Sequence, residues 1–152
     1  LSAPTPAGLE IATFLPAHFD QWLPLAQAYK TFYETVLPDE AYAHTWQRLL
    51  QADEVYGFGA WVDGRLVGIT HYLFHVNVWT APVCYLQDLF VDPAARGAGV
   101  AGALIHRVGQ VARERGAPRM YWGTHHTNAR ARRLYDQVGD NKGFILYNYK
   151  MS

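Results

Sequence analysis

Residues 83–91, Val-Cys-Tyr-Leu-Gln-Asp-Leu-Phe-Val, are predominantly apolar at both alternating sets of positions. A strand of that kind has to be covered on both faces, so it belongs in the interior of a sheet. Asp92-Pro93 ends the run and a glycine-rich turn follows. From Gly99 the apolar residues Val100, Leu104, Val108 and Val111 recur at helical spacing, until Gly116 and Pro118 stop the helix near Arg115. Residues 119–124 resume as a short strand. A strand, helix and strand in that order form one parallel crossover.

The rest of the chain reads as antiparallel. Residues 55–62 and 65–76 flank Asp63-Gly64, the dipeptide that supplies the positive φ angles of a type I′ hairpin turn. Pro4, Pro6 and Gly8 make a loose start, and residues 9–14 suit a first strand. Residues 16–33 read as a helix with Trp22, Leu25, Ala26, Tyr29, Phe32 and Tyr33 on one broad face, kinked or started late by Pro24, and Asp39 or Glu40 opens a second helix to about Gln51. Thr127 or Asn128 caps a last helix with Ala131, Leu134, Tyr135 and Val138 on one face. After a turn at 139–143, residues 144–150 are expected to close the sheet. The expected fold is α+β, an α/β/α sandwich around a mixed, mostly antiparallel sheet of six to seven strands.

A chain of 152 residues fits one domain, 1–152. Lys plus Arg and Asp plus Glu are both 13, and this balance removes any global attraction to nucleic acid or an anionic membrane. Residues 66–87 carry no Asp, Glu, Lys or Arg, long enough to span a bilayer. Their β-branched and aromatic content and Pro82 fit two buried strands better. One cysteine, Cys84, forms no internal disulfide and reads as a small buried hydrophobe. With no signal-like start, a reducing, cytoplasmic location is expected. Leu1 in place of Met suggests a processed or trimmed start.

The chemistry concentrates at Arg96-Gly97-Ala98-Gly99-Val100-Ala101-Gly102. A glycine-rich loop entering a helix exposes consecutive amides at the positive end of the helix dipole, which suits a phosphate. Arg96 adds a cation. The Gly-Lys-Ser/Thr of a P-loop is missing. The spacing of Gly97, Gly99 and Gly102 satisfies a dinucleotide fingerprint, but Arg119 and Met120 stand where its acidic residue belongs. A glycine-rich helix start that serves packing alone is the plain alternative.

A second motif lies about 30 residues on. Asn128, Ala131, Leu134, Tyr135 and Gly139 spell Asn-x-x-Ala-x-x-Leu-Tyr-x-x-x-Gly, and Arg96, Gly99 and Ala101 spell Arg-x-x-Gly-x-Ala. Together they resemble the GNAT superfamily of acyl-CoA-dependent N-acetyltransferases. Tyr85-Leu86-Gln87-Asp88-Leu89-Phe90-Val91 is similar to the spermidine/spermine and histone/polyamine acetyltransferase subgroup. The resemblance covers about residues 55–150, and the first 50 residues share only the helix–helix layout.

The resemblance implies the GNAT fold, acetyl-CoA as cofactor and acetyl transfer to an amine. It places pantetheine along Leu89, Phe90 and Val91, and the pyrophosphate at Gly97, Ala98, Gly99, Val100, Ala101 and Gly102 beside Arg96. Asn128 and Ala131 border the cofactor. Arg130, Arg132 and Arg133 are either nucleotide ligands or a solvated helix face. Tyr135 is implied as the general acid for the departing thiolate; by periodicity alone it would be a core tyrosine. Tyr29, Phe32, Tyr33, Glu34 and the 35–40 loop would wall the acceptor side, and Gln87 stands at the substrate position of the strand.

Gln87 stands where the polyamine enzymes commonly carry Glu, and an amide takes up no proton. Strand alternation turns the neighbouring Asp88 to the opposite face unless a bulge intervenes, and a paired structural role suits it as well as a functional one. His71, His75, His125 and His126 are relay candidates or ordinary strand and loop residues. No metal site is expected. The acceptor would be a small amine, a polyamine or a protein lysine, and the resemblance suggests a homodimer. The alternative is a catalytically idle acyl-CoA-binding sensor or scaffold.

Overall fold

A computed structural model describes residues 6–152; the loose start expected at Pro4 lies outside them. The described residues divide into two compact units, 6–123 and Thr124–Ser152.

The first unit holds a five-stranded sheet in sequence order: β1 (Leu9–Ala12), β2 (Val55–Val62), β3 (Arg65–His75), β4 (Val83–Val91) and β5 (Met120–Tyr121). The first four pair antiparallel, and β4 pairs parallel with β5. Asp63 and Gly64, both at positive φ, make the hairpin turn between β2 and β3. β3 and β4 account for most of the long stretch without charged residues, and among the described residues no helix is long and apolar enough to cross a membrane.

Helices α1 (Phe19–Phe32) and α2 (Asp39–Gln51) cover one face of the sheet. A single turn of 3₁₀ helix precedes α1, so the helix starts late and keeps Pro24 inside it. Trp22, Leu25 and Ala26 from α1 join Tyr42, Trp46 and Leu49 from α2 in a cluster with Phe14, Trp61, Leu66, Ile69 and Phe90. Helix α3 (Val100–Glu114) covers the other face, with Val100, Leu104, Ile105, Val108 and Ala112 buried. A Cβ at Gly68 would stand 3.0 Å from Val100 and 3.1 Å from Leu104, so the missing side chain lets α3 sit close to the sheet.

The second unit contains α4 (Ala129–Val138). Asn128 caps it, its side chain accepting the amide of Ala131 at 3.3 Å. Ala131, Leu134, Tyr135 and Val138 are all half-buried, as the spacing predicts.

The strand count differs from the expected six to seven. Residues 140–152 form no strand, and Phe144, Ile145, Leu146, Tyr147 and Tyr149 are 74–91% exposed. The segment has strand composition, but that composition favours a pleated, half-buried surface and needs a partner edge to act on. Residues 119–124 also yield only the two-residue β5.

Candidate active site

Four features of the first unit converge around the end of β4. The first is an open edge. β5 meets β4 at Cys84↔Met120 and Tyr85↔Tyr121, so among the described residues no strand pairs with that edge from Leu86 onward. Leu89, Phe90 and Val91 therefore have one edge clear of the sheet ladder. The carbonyl of Val91 accepts the Nε–H of Arg96 at 3.0 Å, and the Arg96 guanidinium lies over the Phe90 ring at 5.4 Å. Arg96 is thus folded back onto β4, and its position is set by the strand.

The second feature is the turn into α3. Gly97 and Gly99 sit at φ +84° and +83°, where a side chain is strained. Gly99 is the N-cap residue, no side chain caps the helix, and its first turn carries no acid. The amides of Val100, Ala101 and Gly102 have no acceptor inside the helix. Gly97 and Ala98 are exposed, and nothing lies within 4 Å of a Cβ placed at Gly97. This is an open cradle of amides at the positive end of a helix, and it fits a diphosphate.

The third is a bulge in β4. Tyr72 opposes Leu86 and His71 opposes Asp88, which leaves Gln87 without a partner. Leu86 shares a face with Tyr72, and Asp88 shares the opposite face with His71. Leu86 and Asp88, which strict alternation would put on one face, therefore lie on opposite faces, and Asp88 is on the one that α1 covers. The bulge that the sequence reading named as the exception to strict alternation is present at Gln87. Gln87 is exposed and Asp88 half-buried.

The fourth is a polar chain across the core. The Trp22 indole N–H donates to His71 Nε2 at 3.0 Å, and His71 Nδ1 lies 2.8 Å from Asp88 Oδ2. Burial pushes the Asp88 carboxyl up. The hydrogen bond and charge of His71, the Tyr29 phenol and Lys30 outweigh this and hold it below the ordinary carboxylate range. Burial, then the charge of Asp88 and the neighbouring Tyr33, push the Tyr29 phenol up. The rings of Tyr29 and Tyr33 stand 5.0 Å apart.

Tyr33, 44% exposed at the end of α1, is therefore linked to Asp88 through Tyr29. Glu34 is exposed at φ +54° and enters none of the ion pairs among the described residues. His75 holds the Tyr121 hydroxyl at 2.8 Å on β3. In the second unit, exposed His125 contacts Thr127 at 2.6 Å and stacks on His126. Arg132 donates to the His126 carbonyl, and Arg130 and Arg133 are exposed. Tyr135 lies on the half-buried face of α4. Buried Cys84 has its thiol pushed up to about 11 by burial, which makes it a poor nucleophile. Trp22 was legible only as a core helix residue, because nothing local in sequence ties it to a histidine 49 positions away.

An open strand edge leading to an uncapped, acid-free helix start suits a ligand with an extended arm and a diphosphate. Residues 22–139 match the acetyltransferase (GNAT) family, and the chain belongs to it as an acetyl-CoA-dependent N-acetyltransferase. It is 35% identical over 136 residues to the D-amino-acid N-acetyltransferase HPA3 of Saccharomyces cerevisiae, covering 87% of this chain and 84% of that one. It is 25% identical over 129 residues to the thialysine N-epsilon-acetyltransferase of Caenorhabditis elegans, covering 85% and 81%. Among solved structures it is similar to AAC(6')-Iy in complex with a bisubstrate analogue of CoA. The TM-score there is 0.83 at 25% identity, covering 95% of this chain and 98% of that one.

Proposed function

We propose that the enzyme acetylates the primary amine of a small, cationic molecule, a polyamine or a lysine-like side chain. The carrying observation is the bulge at Gln87, which sets Asp88 opposite His71 beside the open edge of β4. The relatives named for D-amino acids and thialysine support a small amine acceptor. The family match runs across both units, which supports their acting as one domain.

Acetyl-CoA, when bound, supplies an activated acetyl thioester. Gly97, Ala98, Gly99, Val100, Ala101 and Gly102 would hold its diphosphate, with Arg96 adding positive charge. Leu89, Phe90 and Val91 would line the pantetheine arm with their open edge, and Asn128 and Ala131 would border the cofactor. Tyr33 and Glu34 would flank the acceptor. An alkylammonium has an ordinary pKa near 10, so the amine must lose a proton before it attacks. Gln87 can orient the nitrogen without taking that proton. Tyr135 is proposed to donate its phenolic proton to the departing sulfur. A cytoplasmic location follows the sequence reading.

Thiol release from acetyl-CoA with a panel of amines tests this reading. Turnover is expected with alkyl monoamines and diamines, with a shallow preference across diamine, triamine and tetraamine. Attraction for a polycation grows with the number of nearby charges, and Gln87 contributes none. Gln87→Glu should steepen the preference and move the pH optimum. A preference of several orders of magnitude for a tetraamine in the unaltered enzyme would defeat the inference from Gln87.

We also propose a homodimer. An exposed run of Phe144, Ile145, Leu146, Tyr147, Tyr149 and Met151 is more apolar surface than a monomer ordinarily leaves in water. Light scattering is expected to give twice the 17.2 kDa chain mass, falling to one chain with Ile145→Lys and Tyr147→Lys. A monomer at all concentrations would end the proposal.

A further inference from the structure

Among the described residues, Arg96, Arg107, Arg115 and Arg119 lie over aromatic rings. Arg96 donates to the Val91 carbonyl, Arg107 to the Gln110 side chain and Arg115 to the Tyr56 hydroxyl. Arg119 differs from these. Its guanidinium lies over the Tyr121 ring at 4.3 Å, and among the described residues it enters no ion pair and its side chain donates no hydrogen bond. It is exposed. A guanidinium laid on a ring with its fork of N–H groups unused suits a carboxylate, which the fork can grip with two parallel hydrogen bonds.

The ring beneath it is itself held. His75 Nδ1 lies 2.8 Å from the Val76 carbonyl, which can only accept, so Nδ1 donates to it. Nε2 of the same imidazole holds the Tyr121 hydroxyl at 2.8 Å. Tyr85 stacks on Tyr121 with ring centres 4.9 Å apart. His71, Leu73 and His75 alternate onto one face of β3, Tyr85 opposes Leu73, and Tyr121 opposes Tyr85. His75, Tyr85, Tyr121 and Arg119 therefore share the sheet face that carries Asp88. Tyr85 feels both neighbours: burial, then Tyr121 and the charge of Asp88, push its phenol up.

The patch runs along β4 from Arg119 at one end to the bulge at Gln87 at the other. Tyr85 and Gln87 are two residues apart, which is about 7 Å of strand. In an extended lysine the ε-nitrogen and the carboxyl carbon are roughly 7–8 Å apart. With the ε-amine beside Gln87, the carboxylate reaches the level of the Tyr85–Tyr121 pair, where the Arg119 fork lies. An α-nitrogen, only about 2.5 Å from the carboxyl carbon, falls short of Gln87.

We propose that Arg119, laid on the Tyr121 ring, is a specificity-determining residue that receives the carboxylate of the acceptor, and that the preferred acceptor is an amino acid with its reactive amine at the end of a lysine-length side chain. The inference rests on the reading of the enzyme as an amine acetyltransferase and narrows its acceptor class.

Lysine and 1,5-diaminopentane carry the same two amines at the same spacing and differ by one carboxylate, so the pair isolates the contact. With the better enantiomer of lysine, the unaltered enzyme is expected to show a KM about tenfold or more below that for 1,5-diaminopentane. Arg119→Gln keeps a hydrogen-bonding side chain and removes the charge. It should raise the lysine KM about tenfold to a hundredfold, the range of a lost charged hydrogen bond, with kcat within about twofold. The KM for 1,5-diaminopentane should not change, which a general loss of structure would not predict. Arg119→Lys keeps the charge without the planar fork and should recover part of the loss. Mass spectrometry of the product should find the acetyl group on the ε-nitrogen. Calorimetric titration with lysine gives a readout independent of turnover. Lysine binding that is lost in Arg119→Gln, in an enzyme that acetylates no amine, would end the functional reading and leave the carboxylate site standing. Equal KM values for lysine and 1,5-diaminopentane would overturn the proposal. So would a loss in Arg119→Gln shared by both amines, acetyl on the α-nitrogen, or lysine binding that is absent from the unaltered enzyme or untouched by Arg119→Gln.

Discussion

Replacing Tyr135 by Phe is expected to lower turnover on the order of a hundredfold or more while leaving fold and acetyl-CoA binding intact. The substitution removes one oxygen and keeps the ring, so the packing of the half-buried face shared with Ala131, Leu134 and Val138 is preserved. The departing sulfur then has to leave as a thiolate without a proton from the protein. General acid catalysis is typically worth about 10²–10⁴ in rate, and that range sets the expected loss. Both kcat and kcat/KM should fall together, because the interaction is made only as the thiolate develops. The measurement is single-turnover thiol release, in which product dissociation does not mask the chemical step. Thermal denaturation with and without acetyl-CoA checks that the variant still folds and binds. A variant with the chemical step unchanged would make Tyr135 a packing residue, the role its helical periodicity alone assigns.

The elements whose form is dictated locally were legible in the sequence. Asp63-Gly64 predicts the β2–β3 turn because few other dipeptides take two positive φ angles in succession. Val83–Val91 predicts an interior strand because both its faces are apolar, and the structure flanks it with β3 and β5. Gly97 and Gly99 predict a turn that other residues adopt at a cost, and both take positive φ. What local pattern did not carry is pairing. Residues 144–150 have the composition of a strand, yet composition does not create the neighbouring edge a strand requires, and none forms there. The bulge at Gln87 is a property of two strands together: the run Leu86-Gln87-Asp88 is unremarkable until it is laid against His71 and Tyr72. That one unpaired residue decides which face Asp88 occupies. It also decides whether the His71 already suspected of a relay can reach it. Trp22 was visible as a buried helix residue, whereas its hydrogen bond to His71 spans α1 and β3 and has no local signature.

Introducing carboxylates into the turn before α3 is expected to abolish acetyl-CoA binding without unfolding the protein. In Gly97→Asp with Gly99→Asp, each new side chain sits at φ near +84°, a conformation that costs an L-residue about 1–2 kcal/mol and that Asp tolerates better than most. A Cβ at Gly97 meets nothing within 4 Å, so the change there adds strain without a clash. The electrostatic effect is larger. Two unit charges about 4 Å apart near a protein surface interact by roughly 4 kcal/mol, close to three powers of ten in affinity. The cradle would change from a ring of amides at the positive end of α3 to a site that repels a diphosphate. Gly97→Asn with Gly99→Asn carries the same backbone strain and no charge, so it separates the two effects and is expected to bind with a moderate loss. The readout is thermal stabilisation: at a ligand concentration about a hundred times Kd, binding to the folded state adds about 2.7 kcal/mol. For a chain of this size that is a rise in melting temperature of roughly 5–10 °C. The unaltered enzyme should show it, the Asn pair should show part of it, and the Asp pair should show none. Equal stabilisation of the Asp pair and the unaltered enzyme would place the diphosphate elsewhere and remove the phosphate role from Gly97 and Gly99.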